Sequence, residues 1–404
     1  MKMTLKISST YLWAASAMLV CSSLSGEAAA AVFTWAGSNT NWGTNSSWLN
    51  NALPANGDSV LFTNAGSGTA SGVNIARTIT DITFGASANR TFTLSGNSQT
   101  TLGSLTNDSG FAQVLNNRIA LSGSFSGVIN TGSSGLTLGG ILSGSGTYSK
   151  TGSGVLQITS ANSTAYTGTL NVDAGSVRLA TGLDSGNIVI KTGATLYSAN
   201  DSSSGNAGSI TVNSGGTLTP GENSVTKNAG GVGYGAFTVN NNTTLDPGSI
   251  VNLGVGSLSL VDFDQVNTTG TTTFGGALTI SMDYTPTTFG TTAPYFTDGD
   301  SWTLFSSDGG FTGNFTSINM TGVFGNVNFT QIEAGVWQSD YLGNGQQFNF
   351  ITTTGNSGVA GTLYAVPEPS TIVFAGIGIA MFGWSTLTRR RAKARQQAIE
   401  AAIA

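Results

Sequence analysis

Asp262 and Asp264 stand two residues apart, Asp298 and Asp300 likewise, and Asp308 follows. On a strand, positions i and i+2 share a face. Asp262 and Asp264 could therefore work as the paired acid and base of a glycosidase, which holds two carboxylates about 5–9.5 Å apart across a sugar. Turn formation explains the other acids more simply, because Asp298-Gly299-Asp300 and Asp308-Gly309-Gly310 are turn sequences. The chain has no histidine and one cysteine, Cys21, so nucleophile–base pairs and zinc sites lack their usual residues. Neither the Gly-Gly-x-Gly-x-Asp calcium nonapeptide nor an EF-hand loop occurs. Gly139-Gly140 and Gly230-Gly231-x-Gly233 lack the Lys-Ser/Thr of a phosphate loop and read as turns. No catalytic, cofactor-binding or metal-binding residue is assigned.

Chemistry done to this chain is easier to locate than chemistry done by it. Val366, Pro367, Glu368 and Pro369 precede an uncharged apolar run from Thr371 to Thr388, and Arg389, Arg390, Arg391, Lys393 and Arg395 come directly after it. At about 1.5 Å per residue, 18 helical residues just cross a bilayer core of about 30 Å. Basic residues stay in the cytoplasm, which puts everything before Val366 across the membrane. The prolines hold the preceding segment extended, as a peptide in another protein's groove must be.

In Pro367-Glu368-Pro369, the helix and the basic tail, the chain resembles the bacterial PEP-CTERM sorting signal. That resemblance implies an exosortase as partner, cleavage near the motif and transfer to the cell envelope or extracellular matrix. An ordinary single-span anchor, with prolines that only break the helix, is the bland alternative. The tail runs on from residue 396 to Ala404.

The other terminus agrees with export. Lys2 and Lys6, the apolar stretch Ile7 to Val20 and the small residues Ala28 to Ala31 read as a signal peptide over 1–31, with Cys21 inside it. Between 32 and 366 remain seven Lys and Arg against 16 Asp and Glu, a net charge of about −9. This excess argues against nucleic acid or an anionic membrane as partner of that segment. It is dilute, since charged residues are 8% of the chain.

Glycine is abundant, proline is scarce, and short Val, Ile, Leu and Phe clusters alternate with Thr, Ser and Asn, so the passenger is expected to be all-β. A unit recurs: Leu170-x-Val172 with Gly175 and Val177; Ile188-x-Ile190 with Gly193 and Leu196; Ile210-x-Val212 with Gly215 and Leu218; Phe237-x-Val239 with Asn242 and Leu245. Spacings near 20 residues predict stacked coils, most economically a right-handed parallel β-helix, or solenoid. An antiparallel β-sandwich is the rival.

Residues 146–182 resemble the autotransporter-associated β-strand repeat, with Lys150-Thr151-Gly152, Gly154, Asn162, Tyr166-Thr167-Gly168, Gly175, Val177 and Leu179 in matching places. The stretches from Gly216 to Gly221 and from Asp264 to Ile280 are similar to the segments that commonly come after such repeats, and Trp35, Trp42 and Trp48 to the opening of such proteins. The resemblance implies a surface solenoid. Self-secretion is not carried over, because the residues after Asp262 hold too few ten-residue strands for a membrane barrel.

The expected layout is a signal peptide at 1–31 and an N-terminal β cap with its Trp cluster at 32–72. Repeats occupy 73–261, an aromatic antiparallel C-terminal cap 262–355 and a linker 356–365. The sorting signal takes 366–395, with its transmembrane helix at 371–388 and basic tail at 389–395, and 396–404 ends the cytoplasmic tail. Both aromatic groups read first as core and second as carbohydrate platforms. Sequons such as Asn45, Asn107, Asn162, Asn267, Asn314, Asn319 and Asn328 are expected by chance in so Asn-, Ser- and Thr-rich a chain. The expected function is a non-enzymatic exported surface or matrix protein among exopolysaccharides, with a secreted β-helix hydrolase or lyase using Asp carboxylates as the alternative.

Overall fold

The computed structural model describes residues 30–366 apart from 124–125, 161–164, 199–203, 222–232, 259–261, 284–295, 297–298, 343–344 and 354–357. The described protein is all-β, with one 3-10 turn at Asn45–Ser47. No helix among the described residues is long and apolar enough to cross a membrane. Residues 1–29 of the expected signal peptide and the apolar run 371–388 lie outside them.

Three short strands make a rung. Leu142–Gly144, Thr147–Thr151 and Val155–Ile158 form one, and Ala165–Tyr166, Thr169–Val172 and Ser176–Leu179 form the next. Each strand lies parallel to its counterpart: Ser143 opposite Ala165, Tyr148 opposite Leu170, Leu156 opposite Val177. The rungs thus present a first, second and third face in chain order. In Arg77–Phe84, Gln99–Asn107, Gly182–Ile190 and Ser204–Val212 one longer strand serves both the first and second faces. Apart from Ser301–Thr303, the strands from Val32 to Gly322 pair with one another in parallel, which long parallel sheets of a solenoid give and hairpins of a sandwich do not.

Alternation explains why these residues form strands. Leu170, Val172, Ile188, Ile190, Ile210 and Val212 are buried on consecutive rungs, while Asn171, Val189 and Thr211 between them face outward. Each buried aliphatic side chain contributes roughly 1.5–3 kcal/mol. Gly175, Gly193 and Gly215 turn the corner after the second face with φ of 64°, 76° and 75°, a conformation costly for any residue with a Cβ. Partners on the third face, Leu115, Leu138, Ile158 and Leu179, recur at 20–23 residues.

The first three repeat units seen in sequence are therefore in phase, and the fourth is not. Val212 pairs with Leu245, whereas Phe237 and Val239 pair with Gly205 and Ala207 on the first face. Two adjacent faces carry the same alternation, so the pattern alone slips by one strand.

The expected boundaries also move. Val32–Thr34 and Ser59–Phe62 already pair in parallel, so residues 32–72 carry rungs as well as the Trp cluster. Parallel rungs continue past residue 261 through Ala277–Met282 and Ser317–Gly322. Phe274, Phe305, Phe311 and Phe315 are not a separate cap but ring contacts between the last rungs, with Phe274–Phe311 stacked at 5.2 Å and 13°. The antiparallel part is Val327–Glu333, Val336–Ser339, Gln347–Ile351, Thr362–Val366 and Ser301–Thr303. Part of the expected 356–365 linker is thus a strand between two others.

Lys150 breaks the rule for inward positions. It lies in a column between Ile129 and Val172 and is fully buried. Its ammonium donates to the carbonyls of Gly152 at 2.8 Å, Gly154 at 2.6 Å and Ala174 at 2.7 Å, tying a corner to the same corner one rung on. Loss of water pushes its pKa down to about 8, and the three carbonyl oxygens supply what water gave.

Glycines also make room for rings across rungs. Tyr148 lies opposite Gly127, where a Cβ would collide with the ring; Phe237 lies opposite Gly205, where a Cβ would stand 2.9 Å away. Tyr166 occupies space that Cβ atoms on Gly168 and Gly186 would enter at 2.8 and 2.6 Å.

Two consequences can be measured by chemical denaturation. Gly127→Ala overpacks the Tyr148 column and is expected to cost about 1–3 kcal/mol, while Gly110→Ala, with nothing within 4 Å, leaves the midpoint in place. Lys150→Met takes the ammonium from three carbonyls, of which Gly154 O keeps Thr131 Oγ1 at 3.0 Å, and is expected to cost at least about 2 kcal/mol; an unchanged midpoint would show that the ammonium cage is dispensable.

Candidate functional site: the loop-bearing corner

Connections between the faces are short with one regular exception. From the third face back to the first they hold two to six residues up to Ser204, then lengthen to 220–235, 256–264 and 283–304 on consecutive rungs. Insertions stacked on one corner are where a repeat protein carries what its rungs cannot. Asp262 and Asp264 stand here.

Asp264 is fully buried, and its two carboxylate oxygens are both engaged: Oδ1 accepts from Gly235 N at 2.9 Å and Oδ2 from Gly254 N at 2.7 Å. It joins the base of the first long connection to the strand before the second. Asp262 Oδ2 accepts from Ser257 Oγ at 2.6 Å, while Oδ1 is buried with no partner among the described residues. Trp302 Nε1 donates to Ser257 O at 2.7 Å and brings in the third connection. Tyr234, also fully buried, donates to Asp283 Oδ2 at 3.3 Å, and burial first, then Asp283, raises its phenol's pKa. A Cβ on Gly256 would touch that phenol ring.

This network latches three loops together. A glycosidase pair must turn two carboxyls toward a sugar, and Asp264 turns both of its oxygens to backbone amides. Asp300 lends its carbonyl to Ala365 N at 2.9 Å, Asp308 sits in a turn, and Asp298 lies outside the described residues. Among the described residues no three His, Cys, Asp or Glu side chains converge as metal ligands. Sequence reasoning singles out neither Tyr234 nor Asp283. A tyrosine between Gly233 and Gly235 is the only signal that could have marked the first.

The aromatic groups are core. Trp35, Trp42 and Trp48 are buried, Trp48 meeting Trp35 and Trp42 edge-on at 5.2 and 5.5 Å and donating to Trp42 O at 3.0 Å. Buried rings offer no platform to a sugar. Phe296, Trp302, Phe348 and Phe350 are likewise buried at the other end, and Tyr341 is exposed.

Of the residues expected to form a sorting signal, Val366 ends the strand Thr362–Val366, opposite Gln347. Pro367, Glu368, Pro369, Arg389, Arg390, Arg391, Lys393 and Arg395 lie outside the described residues.

Asp264→Asn keeps the size but offers an amide N–H where an acceptor is needed. It is expected to lower stability by about 1–3 kcal/mol and to speed hydrogen exchange at Gly235 and Gly254 before any other rung; uniform exchange would mean that the latch holds nothing locally.

Compared with known proteins, the chain matches no family model, and no curated protein matches it significantly.

Proposed function

We propose that this is a non-enzymatic protein of the cell surface or extracellular matrix, exported, processed by an exosortase and displayed among exopolysaccharides. Its passenger is read as a right-handed parallel β-helix, since crossovers between parallel strands of one sheet are right-handed in nearly all proteins. The observation that carries the proposal is the order of Pro367-Glu368-Pro369, an apolar run and a basic tail. The position of the last described strand supports it. Val366 is the last residue of a strand held between Gln347–Ile351 and Ser301–Thr303, and the residue after it is a proline, which cannot donate to a ladder. A cut beyond Val366 leaves the antiparallel sheet whole.

The engaged Asp264 carboxylate and the absence of histidine favour this reading over a hydrolase or lyase. Replacement of Pro367, Glu368 and Pro369 by Ala is expected to leave full-length protein in the inner membrane, whereas unchanged surface release overturns the sorting reading. Mass spectrometry of the processed chain is expected to place its C-terminus at or beyond Val366. Polysaccharide turnover by the purified protein, lost in Asp262→Asn, would overturn the non-enzymatic one.

A further inference from the structure

The second face presents a regular outward column with no charged side chain in it. Its outward positions run in register through Ser149, Asn171, Val189, Thr211, Thr244, Thr273 and Thr312, one residue per rung. Four consecutive rungs carry threonine, and Thr273 and Thr312 hydroxyls meet at 3.0 Å. From Ser126 to Gly313 the strand segments on this face hold one charged residue, Lys150, which points inward. From Thr147 onward the connections on both sides have four residues or fewer, so among the described residues no loop overhangs it. The long connections all lie at the opposite corner.

We propose that this face is a docking strip for a neutral, extended polysaccharide. The inference rests on the reading above of a protein displayed among polysaccharides and assigns the partner's chemistry and place. Hydroxyl and amide side chains both donate and accept, as sugar hydroxyls do. The outward column itself holds no charge, Lys191 at its edge is paired with Asp173 at 2.7 Å, and residues 32–366 carry about −9, so the strip does not attract a polyanion. Rungs at about 4.8 Å repeat one hydroxyl set along the axis, close to one sugar unit of an extended glycan. No aromatic ring stands on the strip, so each rung contributes little and affinity accumulates with the number of rungs covered.

The test is affinity electrophoresis of the full chain in detergent, with a neutral linear β-glucan and with alginate in the gel. Retardation is expected with the neutral glycan, stronger for longer chains, and not with alginate. The variant Thr211→Val, Thr244→Val, Thr273→Val keeps branched strand residues and removes three hydroxyls; its dissociation constant is expected to rise at least about tenfold. Thr195→Val with Thr217→Val, on the third face, is expected to bind as the wild type. Equal loss in both variants, retardation by alginate alone, or no retardation overturns the proposal. So does dissociation of a dimer by the second-face variant in light scattering, which would make a second copy the occupant. Loss of glycan binding with sorting intact removes this inference alone, and glycan binding with sorting unaffected by the Ala replacements removes the sorting reading alone.

Discussion

The parallel strands between Val32 and Gly322 satisfy most of their backbone through the rung before and the rung after. Neither neighbour is close in sequence. A single rung would expose its amides, carbonyls and apolar side at once, so no rung is stable alone and the columns must coincide for all of them. That condition governs residue choice more tightly than size of core. Where a column position holds Tyr148 or Phe237, the residue facing it on the preceding rung is Gly127 or Gly205, because each ring leans over that position and leaves no room for a Cβ. Glycine here is a packing partner as much as a turn residue.

The same dependence creates a problem at the two ends, where one neighbour is missing. An open sheet edge recruits other chains. At the start, the chain returns after the 3-10 turn so that Leu49 N donates to Thr34 O and Ala36 N to Ser47 O, and Trp35, Trp42 and Trp48 are buried within this first rung. At the finish, the strand direction changes. Val327–Glu333 turns antiparallel against Ser317–Gly322, and Phe350 reaches back to Phe305 and Phe315. Aromatic rings serve both ends because they cover much apolar area with few torsions to fix.

The same geometry decides how much is legible in the sequence. The units at Leu170, Ile188 and Ile210 can be read because their rungs have connections of nearly constant length, so sequence spacing and rung spacing agree. At Phe237 they part. An insertion of 220–235 shifts the chain, and Phe237-x-Val239 on the first face looks like Thr243-x-Leu245 on the second. The aromatic residues after Asp262 are legible as core but not as rungs, since composition reports burial and not strand direction. Lys150 can be seen as part of a repeat, yet its inward placement depends on three carbonyls from two rungs, which no local pattern contains. The proposed sorting signal is read from the order of residue types along the chain alone.

Long connections at a single corner are what the stacking condition permits. A rung can lengthen without disturbing the next only where its excess chain leaves the columns, and a loop there obstructs the corner above it unless that corner lengthens too. Once 220–235 had opened the corner, 256–264 and 283–304 could use the same exit, and Asp264, Ser257 and Trp302 bind each loop to the one before it. A buried carboxylate in that position is costly unless both oxygens are satisfied, which commits Asp264 to structure and removes it from chemistry. The second face, relieved of loops by the same arrangement, keeps its outward columns clear from Ser149 to Thr312. Variation at the corner and constancy on the face are therefore one result of a chain that must repeat in order to fold.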